Sequence, residues 1–178
     1  MRKLKLHELN RTDVEGFKEQ PKTPVVIVLD NIRSGLNVGS AFRTADAFAL
    51  EKIYLCGITA TPPHREILKT AIGASASMNW EHHKNTIDAI LLLKEEGYKI
   101  LAVEQVDERT WLQDFEIKTD EKYALIFGNE VSGVSEEVLP HIDACLELPQ
   151  FGTKHSLNIS VCLGIVVWEF FKPFMKSS

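Results

Sequence analysis

Runs of consecutive apolar residues recur along this chain and alternate with helical patterns. The first run, Val25–Leu29, reads VVIVL and lacks the period-two alternation of a strand with one face in water. Such a run is typical of a strand that is buried on both faces, as in a parallel sheet covered by helices.

The same pattern predicts the other elements of an α/β fold. Further strands are predicted at residues 53–56, 100–103, 124–127 and 144–148. Helices are predicted at 37–48, 86–96 and 135–139, and a long one from about 157 to 171. Strands that alternate with helices in this way indicate a mostly parallel sheet flanked by helices.

The length of 178 residues suits a single domain, and no internal repeat or interior linker interrupts the chain. Residues 1–24 are polar and carry six basic residues against four acidic ones. We therefore predict an N-terminal basic arm at 1–24, either solvated or in contact with phosphate groups, followed by one domain at 25–178.

Charge and cysteine content restrict the class of protein. The net charge is −5, so a nucleic-acid function needs a local basic patch instead of bulk charge. Three cysteines without a C-x-x-C motif predict neither a disulfide framework nor a zinc site, and a reducing cytoplasm is the expected compartment. The N-terminus lacks the apolar core of a signal peptide, and the longest apolar stretch, 159–171, is too short to span a bilayer.

Three loops rich in glycine, asparagine and serine follow predicted strands. They are residues 30–40, 128–133 and 149–158. Ligands of parallel sheets bind beyond the carboxyl ends of the strands, so these loops are the candidate site. The chain has no P-loop, no G-x-G-x-x-G after a strand and no G-x-S-x-G, and its histidines lack metal-ligand spacing, so no metal is predicted.

Each loop carries a short motif. The first matches N-x-G-x-x-x-R-T-A from Asn37 to Ala45, and the second matches G-x-E-x-x-G from Gly128 to Gly133. The third matches P-x-x-G-x-x-x-S-L-N-[VI]-S from Pro149 to Ser160. In order and spacing, the three motifs resemble those of the SpoU (TrmH) family of RNA 2′-O-ribose methyltransferases, in the SPOUT superfamily. The resemblance covers about residues 24–171.

The resemblance implies a fold and a co-substrate. The expected fold is the α/β sheet with a deep trefoil knot in its C-terminal half, assembled as a homodimer whose partner subunit completes each active site. The implied co-substrate is S-adenosylmethionine, held bent in the knot largely by backbone groups. Carried over by motif, its binding residues are Gly128, Leu148 and Leu157, with Glu104 after the third predicted strand as a further candidate.

The implied catalytic residues are Arg43, Asn37, Glu130, Ser156 and Asn158. In the family, the arginine is the proposed activator of the 2′-hydroxyl. An arginine stays protonated at any ordinary pH, so a fixed cation that binds phosphate and stabilises the developing alkoxide suits Arg43 better than a literal general base. Helix capping is the structural alternative for Asn37, Ser156 and Asn158, and a surface carboxylate is the alternative for Glu130.

The expected partner is structured RNA, with tRNA favoured over rRNA and no membrane. Candidate phosphate contacts outside the arm are Arg33, Arg65, Lys69 and Lys154. Two alternatives remain open. One is a catalytically inactive RNA-binding or ribosome-assembly protein on the same fold, and the other is a SPOUT enzyme that methylates a base nitrogen.

Overall fold

The computed structural model describes residues 1–175 and contains one seven-stranded, all-parallel sheet. The spatial order of the strands is β3-β2-β1-β6-β4-β7-β5. Their bounds are β1 Thr23–Asp30, β2 Leu50–Cys56, β3 Trp80–His83, β4 Tyr98–Val103, β5 Thr110–Trp111, β6 Lys122–Phe127 and β7 Ala144–Glu147. The predicted parallel α/β architecture is confirmed.

Helices cover both faces of the sheet. Their bounds are α1 Val14–Glu19, α2 Gly35–Ala47, α3 Arg65–Ala71, α4 Ala74–Ser77, α5 Thr86–Glu95 and α6 Ile159–Met175. On one face, α2 packs against α3 and α6, and on the other, α5 packs against the sheet.

The central strand β1 explains why the apolar runs are continuous. Val25, Ile27 and Leu29 belong to the core on the side of α2 and α6, whereas Val26 and Val28 belong to the core on the side of α5. All five residues are buried because successive side chains of a strand point to opposite faces and helices cover both.

Several element bounds differ from the prediction. The last helix begins at Ile159 and not at Leu157, because Asn158 caps it by accepting the backbone N–H of Ser160 at 2.9 Å. The helix predicted at 135–139 is a 3-10 helix over Glu136–His141. Strands β3 and β5 and helices α1, α3 and α4 were not predicted; all are short.

The first 24 residues are partly folded. Within them, α1 carries the buried residue Phe17 and packs against α4, and strand β1 begins at Thr23. The boundary after residue 24 stays a prediction, and residues 176–178 of the predicted domain lie outside the described residues. Across residues 1–175, no helix has both the length and the apolarity that a bilayer crossing requires.

Candidate functional site

A cavity of about 550 Å³ lies at the carboxyl edge of the sheet, where β4, β6 and β7 end. We call it the main cavity. Its volume is in the usual range for small-molecule sites. It brings together seven of the predicted site residues, which are Glu104, Gly128, Glu130, Leu148, Ser156, Leu157 and Asn158.

The loop of residues 128–133 forms one wall and is tightly closed by backbone contacts. Asn129 and Gly133 exchange backbone hydrogen bonds at 3.0 Å. A methyl group on Gly128 would lie 1.9 Å from the carbonyl carbon of Gly133, and Gly133 itself has φ +69°. Only glycine fits at both positions, because the first has no space and the second lies in the left-handed region.

Asn129 holds this loop from within. Its Oδ1 accepts the backbone N–H groups of Val131 and Ser132, each at 2.9 Å, and its Nδ2 donates to Ser132 Oγ at 2.9 Å. Asn129 was not predicted as a site residue. Its position between glycines is the indication that was available, since asparagine stabilises turns through such bonds.

Glu104 connects the end of β4 to the 128–133 loop. Its Oε2 accepts the backbone N–H of Val134 at 2.9 Å, and its Oε1 accepts that of Gln105 at 2.8 Å. The carboxylate lines the main cavity, yet both of its oxygens already bind backbone groups. A positioning role for Glu104 therefore follows directly from its contacts.

The loop of residues 149–158 also contributes to the cavity wall and is exposed throughout. Within the described chain, one hydrogen bond connects segment 149–157 to the rest of the protein, from Gln105 Nε2 to the carbonyl of His155 at 2.9 Å. Gln105 was not predicted as a site residue. Only its position just beyond the end of a strand pointed to it.

Apolar side chains complete the cavity. Leu148 is 9% exposed and Leu157 is 39% exposed, and both line it together with Ile159 and Cys162. Burial raises the pKa of the Cys162 thiol to about 11, so the wall at this point is neutral at physiological pH.

A hydrogen-bonded network of polar side chains connects the cavity with helix α2. Asn37 Nδ2 donates to Glu130 Oε1 at 2.8 Å, and Asn158 Nδ2 donates to Asn37 Oδ1 at 3.3 Å. Ser34, not Asn37, caps α2. Asn158 both caps α6 and takes part in this network. Ser156 lines the cavity without a hydrogen bond to any described residue.

Arg43 lies elsewhere. It is exposed on α2 and lines a separate, shallow concavity with Lys69 and the hydroxyl residues Ser40, Thr44 and Thr70. None of the residues that line this concavity lines the main cavity. Arg43 makes no hydrogen bond or ion pair with the described residues, so a single copy of the chain does not bring its guanidinium to the other candidate residues.

The predicted phosphate contacts are all exposed. Arg33 follows β1 in the chain, Arg65 and Lys69 lie on α3, and Lys154 lies on the 149–158 loop. Across residues 1–175, no group of three or more histidine, cysteine or acidic side chains is arranged to hold a metal.

Comparison with known proteins agrees with this geometry. Residues 24–168 match the SpoU rRNA Methylase family. The tRNA (guanosine(18)-2′-O)-methyltransferase of Borreliella burgdorferi is 30% identical over a region that covers 86% of this chain and 69% of its own.

Solved structures share the fold. The AdoMet-bound rRNA methyltransferase of Sinorhizobium meliloti is 25% identical with a TM-score of 0.79 and matches 91% of this chain. This chain spans 60% of that protein, which is less than two thirds. The A. aeolicus TrmH/SpoU tRNA modifying enzyme matches with a TM-score of 0.81 at 22% identity, over 92% of this chain and 82% of its own.

The family match spans β1 to most of α6, and it includes all three loops whose motifs carried the resemblance. The chain therefore belongs to the SpoU rRNA methylase family.

Proposed function

We propose that the protein transfers a methyl group from S-adenosylmethionine to a ribose 2′-hydroxyl of tRNA or rRNA. The observation that carries this proposal is the main cavity, where two loops with the family's motifs and the end of β4 converge on one pocket lined by both apolar and polar residues. The names of the relatives, which include tRNA and rRNA methyltransferases, support the same reaction.

The charge of the main cavity suits a cationic donor. The carboxylates of Glu104 and Glu130 line it, and neither lysine nor arginine occurs among the described residues that do so. A third acidic residue, Glu147, also lines the cavity and is paired with Arg109, which does not line it. S-adenosylmethionine carries a positive sulfonium, whereas a nucleoside phosphate would be repelled here.

The shape of the cavity also fits this donor. We propose that Leu148 and Leu157 flank its adenine and that backbone groups of these residues and of Gly128 bind its polar atoms. When bound, the donor supplies a methyl group on a good leaving group. The protein therefore has to position and activate the attacking hydroxyl, and positioning alone can contribute several kcal/mol.

Arg43 is the proposed activator. Its guanidinium stays protonated, so it acts as a fixed cation that binds a phosphate of the target nucleotide and stabilises the developing alkoxide. Because Arg43 lies outside the main cavity of its own chain, we propose that an Arg43 from a second copy of the chain completes each site. Asn37, Glu130 and Asn158 would orient the substrate or the loops through the hydrogen bonds that join them, and Ser156 would do so from the wall of the main cavity.

An exposed apolar stripe supports the proposed homodimer. Val161, Ile165 and Trp168 follow one another at helical spacing on α6, and each is at least 40% exposed. Helix α6 packs against α2, which carries Arg43, so a second copy seated on this stripe would approach the arginine-bearing helix. Molar mass by light scattering tests the dimer.

RNA binding would use the exposed cations Arg33, Arg65, Lys69 and Lys154 as phosphate contacts. With a net charge of −5, we expect modest, salt-sensitive affinity, and we favour tRNA. We further propose that the protein is cytoplasmic and that its C-terminal half forms a trefoil knot. The strand order, with β6 inserted between β1 and β4, is compatible with that knot.

The central experiment incubates the protein with methyl-labelled S-adenosylmethionine and separate pools of total tRNA and rRNA. Nuclease digestion and mass spectrometry then locate the label. Label on ribose supports the proposal, and label on a base nitrogen identifies the SPOUT base methyltransferase instead. Absence of donor binding at millimolar concentration in calorimetry identifies an inactive RNA-binding relative.

A further inference from the structure

Phe151 is an aromatic residue whose side chain is almost fully exposed to solvent. It is 97% exposed, and among the described residues it makes no contact with another aromatic ring or with a cation. Removing an aromatic side chain of this size from water is favourable. A ring held in solvent next to a binding cavity therefore points to an occupant that covers it.

The position of Phe151 ties it to the main cavity. Gln150 immediately before it lines the cavity, and so do His155 and Ser156 later in the same loop. The loop is anchored at two points that both follow Phe151 in the chain, by the Gln105–His155 hydrogen bond and by the contact from Asn158 to Asn37. Phe151 is thus carried at the edge of the cavity by a loop with two fixed points.

The charge of the loop indicates the chemistry of the occupant. Segment 149–158 contains Lys154 and His155 and no acidic residue, in a protein whose net charge is −5. An aromatic ring beside a cation on an exposed loop is the combination that binds single-stranded nucleic acid, because the ring stacks on a base while the cation contacts a phosphate.

We infer that Phe151 is a stacking platform for an unpaired base of the RNA, close to the ribose that receives the methyl group. This inference rests on the proposed function and adds to it a base-binding position. Lys154, three residues later, neutralises a phosphate of the same RNA segment.

The test compares Phe151→Ala, Phe151→Leu and Phe151→Trp with wild type and with Leu91→Ala. Leu91 is the matched control, since it is an exposed apolar residue on α5 and does not line the main cavity. The probes are unfractionated tRNA and rRNA, with the dissociation constant from gel shift and the KM from methyl transfer. Calorimetry gives donor affinity, and light scattering gives the oligomeric state.

Phe151→Ala is expected to weaken RNA binding roughly 5- to 150-fold, the range measured for loss of one stacked base. Donor affinity, oligomeric state and the Leu91→Ala control stay unchanged. Phe151→Trp is expected to bind RNA as wild type does, and Phe151→Leu is expected to bind as weakly as Phe151→Ala, since stacking needs an aromatic ring. Wild-type RNA affinity in Phe151→Leu, or loss of the dimer in Phe151→Ala, overturns the inference. Loss of the dimer would assign the ring to the subunit interface.

Failure of the two proposals can be told apart. A wild-type protein that binds RNA but transfers no methyl group overturns the proposed function, while the comparison of RNA affinities still decides the role of Phe151. Methyl transfer by wild type together with unchanged RNA affinity in Phe151→Ala overturns the stacking inference alone. A wild type that binds neither RNA overturns both.

Discussion

Replacement of Gln105 by alanine is predicted to loosen the 149–158 loop without destabilising the fold. The Gln105 amide supplies the one hydrogen bond that the described residues make to segment 149–157, at 2.9 Å to the His155 carbonyl. Gln105 is exposed, and surface substitutions usually change the free energy of unfolding by less than about 0.5 kcal/mol. The effect is therefore expected to be local.

The magnitude follows from the bond that is lost. A hydrogen bond between neutral groups contributes about 0.5–1.5 kcal/mol net, which corresponds to a roughly 2- to 13-fold larger open population of the loop. Limited proteolysis reports that population when the loop opens and closes faster than the protease cleaves.

Trypsin provides the assay, because the Lys154–His155 bond lies inside the loop. We expect cleavage after Lys154 to accelerate by that factor in Gln105→Ala, with cleavage after the helical Lys94 unchanged. Gln113→Ala is the matched control, since the Gln113 side chain is exposed and makes no hydrogen bond with a described residue. An unchanged rate after Lys154, or an equal acceleration at Lys94, would refute the reasoning.

Three further predictions concern the rest of the site. Gly133→Ala is expected to lower the free energy of unfolding by about 2.5–5 kcal/mol in chemical denaturation. The reason is that the new methyl group would lie 2.0 Å from Glu104 Oε2 and that the backbone has φ +69°. A decrease of less than about 1 kcal/mol would contradict this prediction. Arg43→Ala is expected to abolish methyl transfer while the dissociation constant for S-adenosylmethionine stays within about twofold, a change of about 0.4 kcal/mol, and wild-type turnover in that variant would show the proposed role to be wrong. Burial raises the pKa of the Cys162 thiol to about 11, so this thiol is expected to stay protonated at pH 8 and to react slowly with iodoacetamide. The reaction is expected to become faster as the pH approaches 11 and slower when the donor is bound. Rapid labelling at pH 8 would contradict the burial of the thiol.

The central strands were predictable because burial on both faces leaves an uninterrupted apolar run. Residues 124–127, for example, were predicted as a strand and lie within β6, the neighbour of β1. Strand β3 escaped prediction because it lies at the edge of the sheet and its four residues, WEHH, are partly exposed. Strand β5 has only two residues, which is too few for any periodicity.

The site was predictable where motifs follow strands, and less so where single contacts decide. The loops after β6 and β7 meet at the main cavity because the carboxyl ends of parallel strands lie on the same edge of the sheet. The bonds of Glu104 to Val134 and of Gln105 to His155 join residues far apart in the chain, and no local pattern encodes such a pairing. The separation of Arg43 from the cavity is likewise a tertiary property.

The order of strands in the sheet has a consequence during synthesis of the chain. Strand β1 pairs on one side with β2, which follows soon after it, but on the other side with β6, where Val25 lies opposite Tyr123. Until β6 has left the ribosome, the nascent chain exposes one edge of a strand in which five of the eight residues are valine, isoleucine or leucine. Such an edge is a template for association between chains, so fragments that end before residue 122 are expected to aggregate.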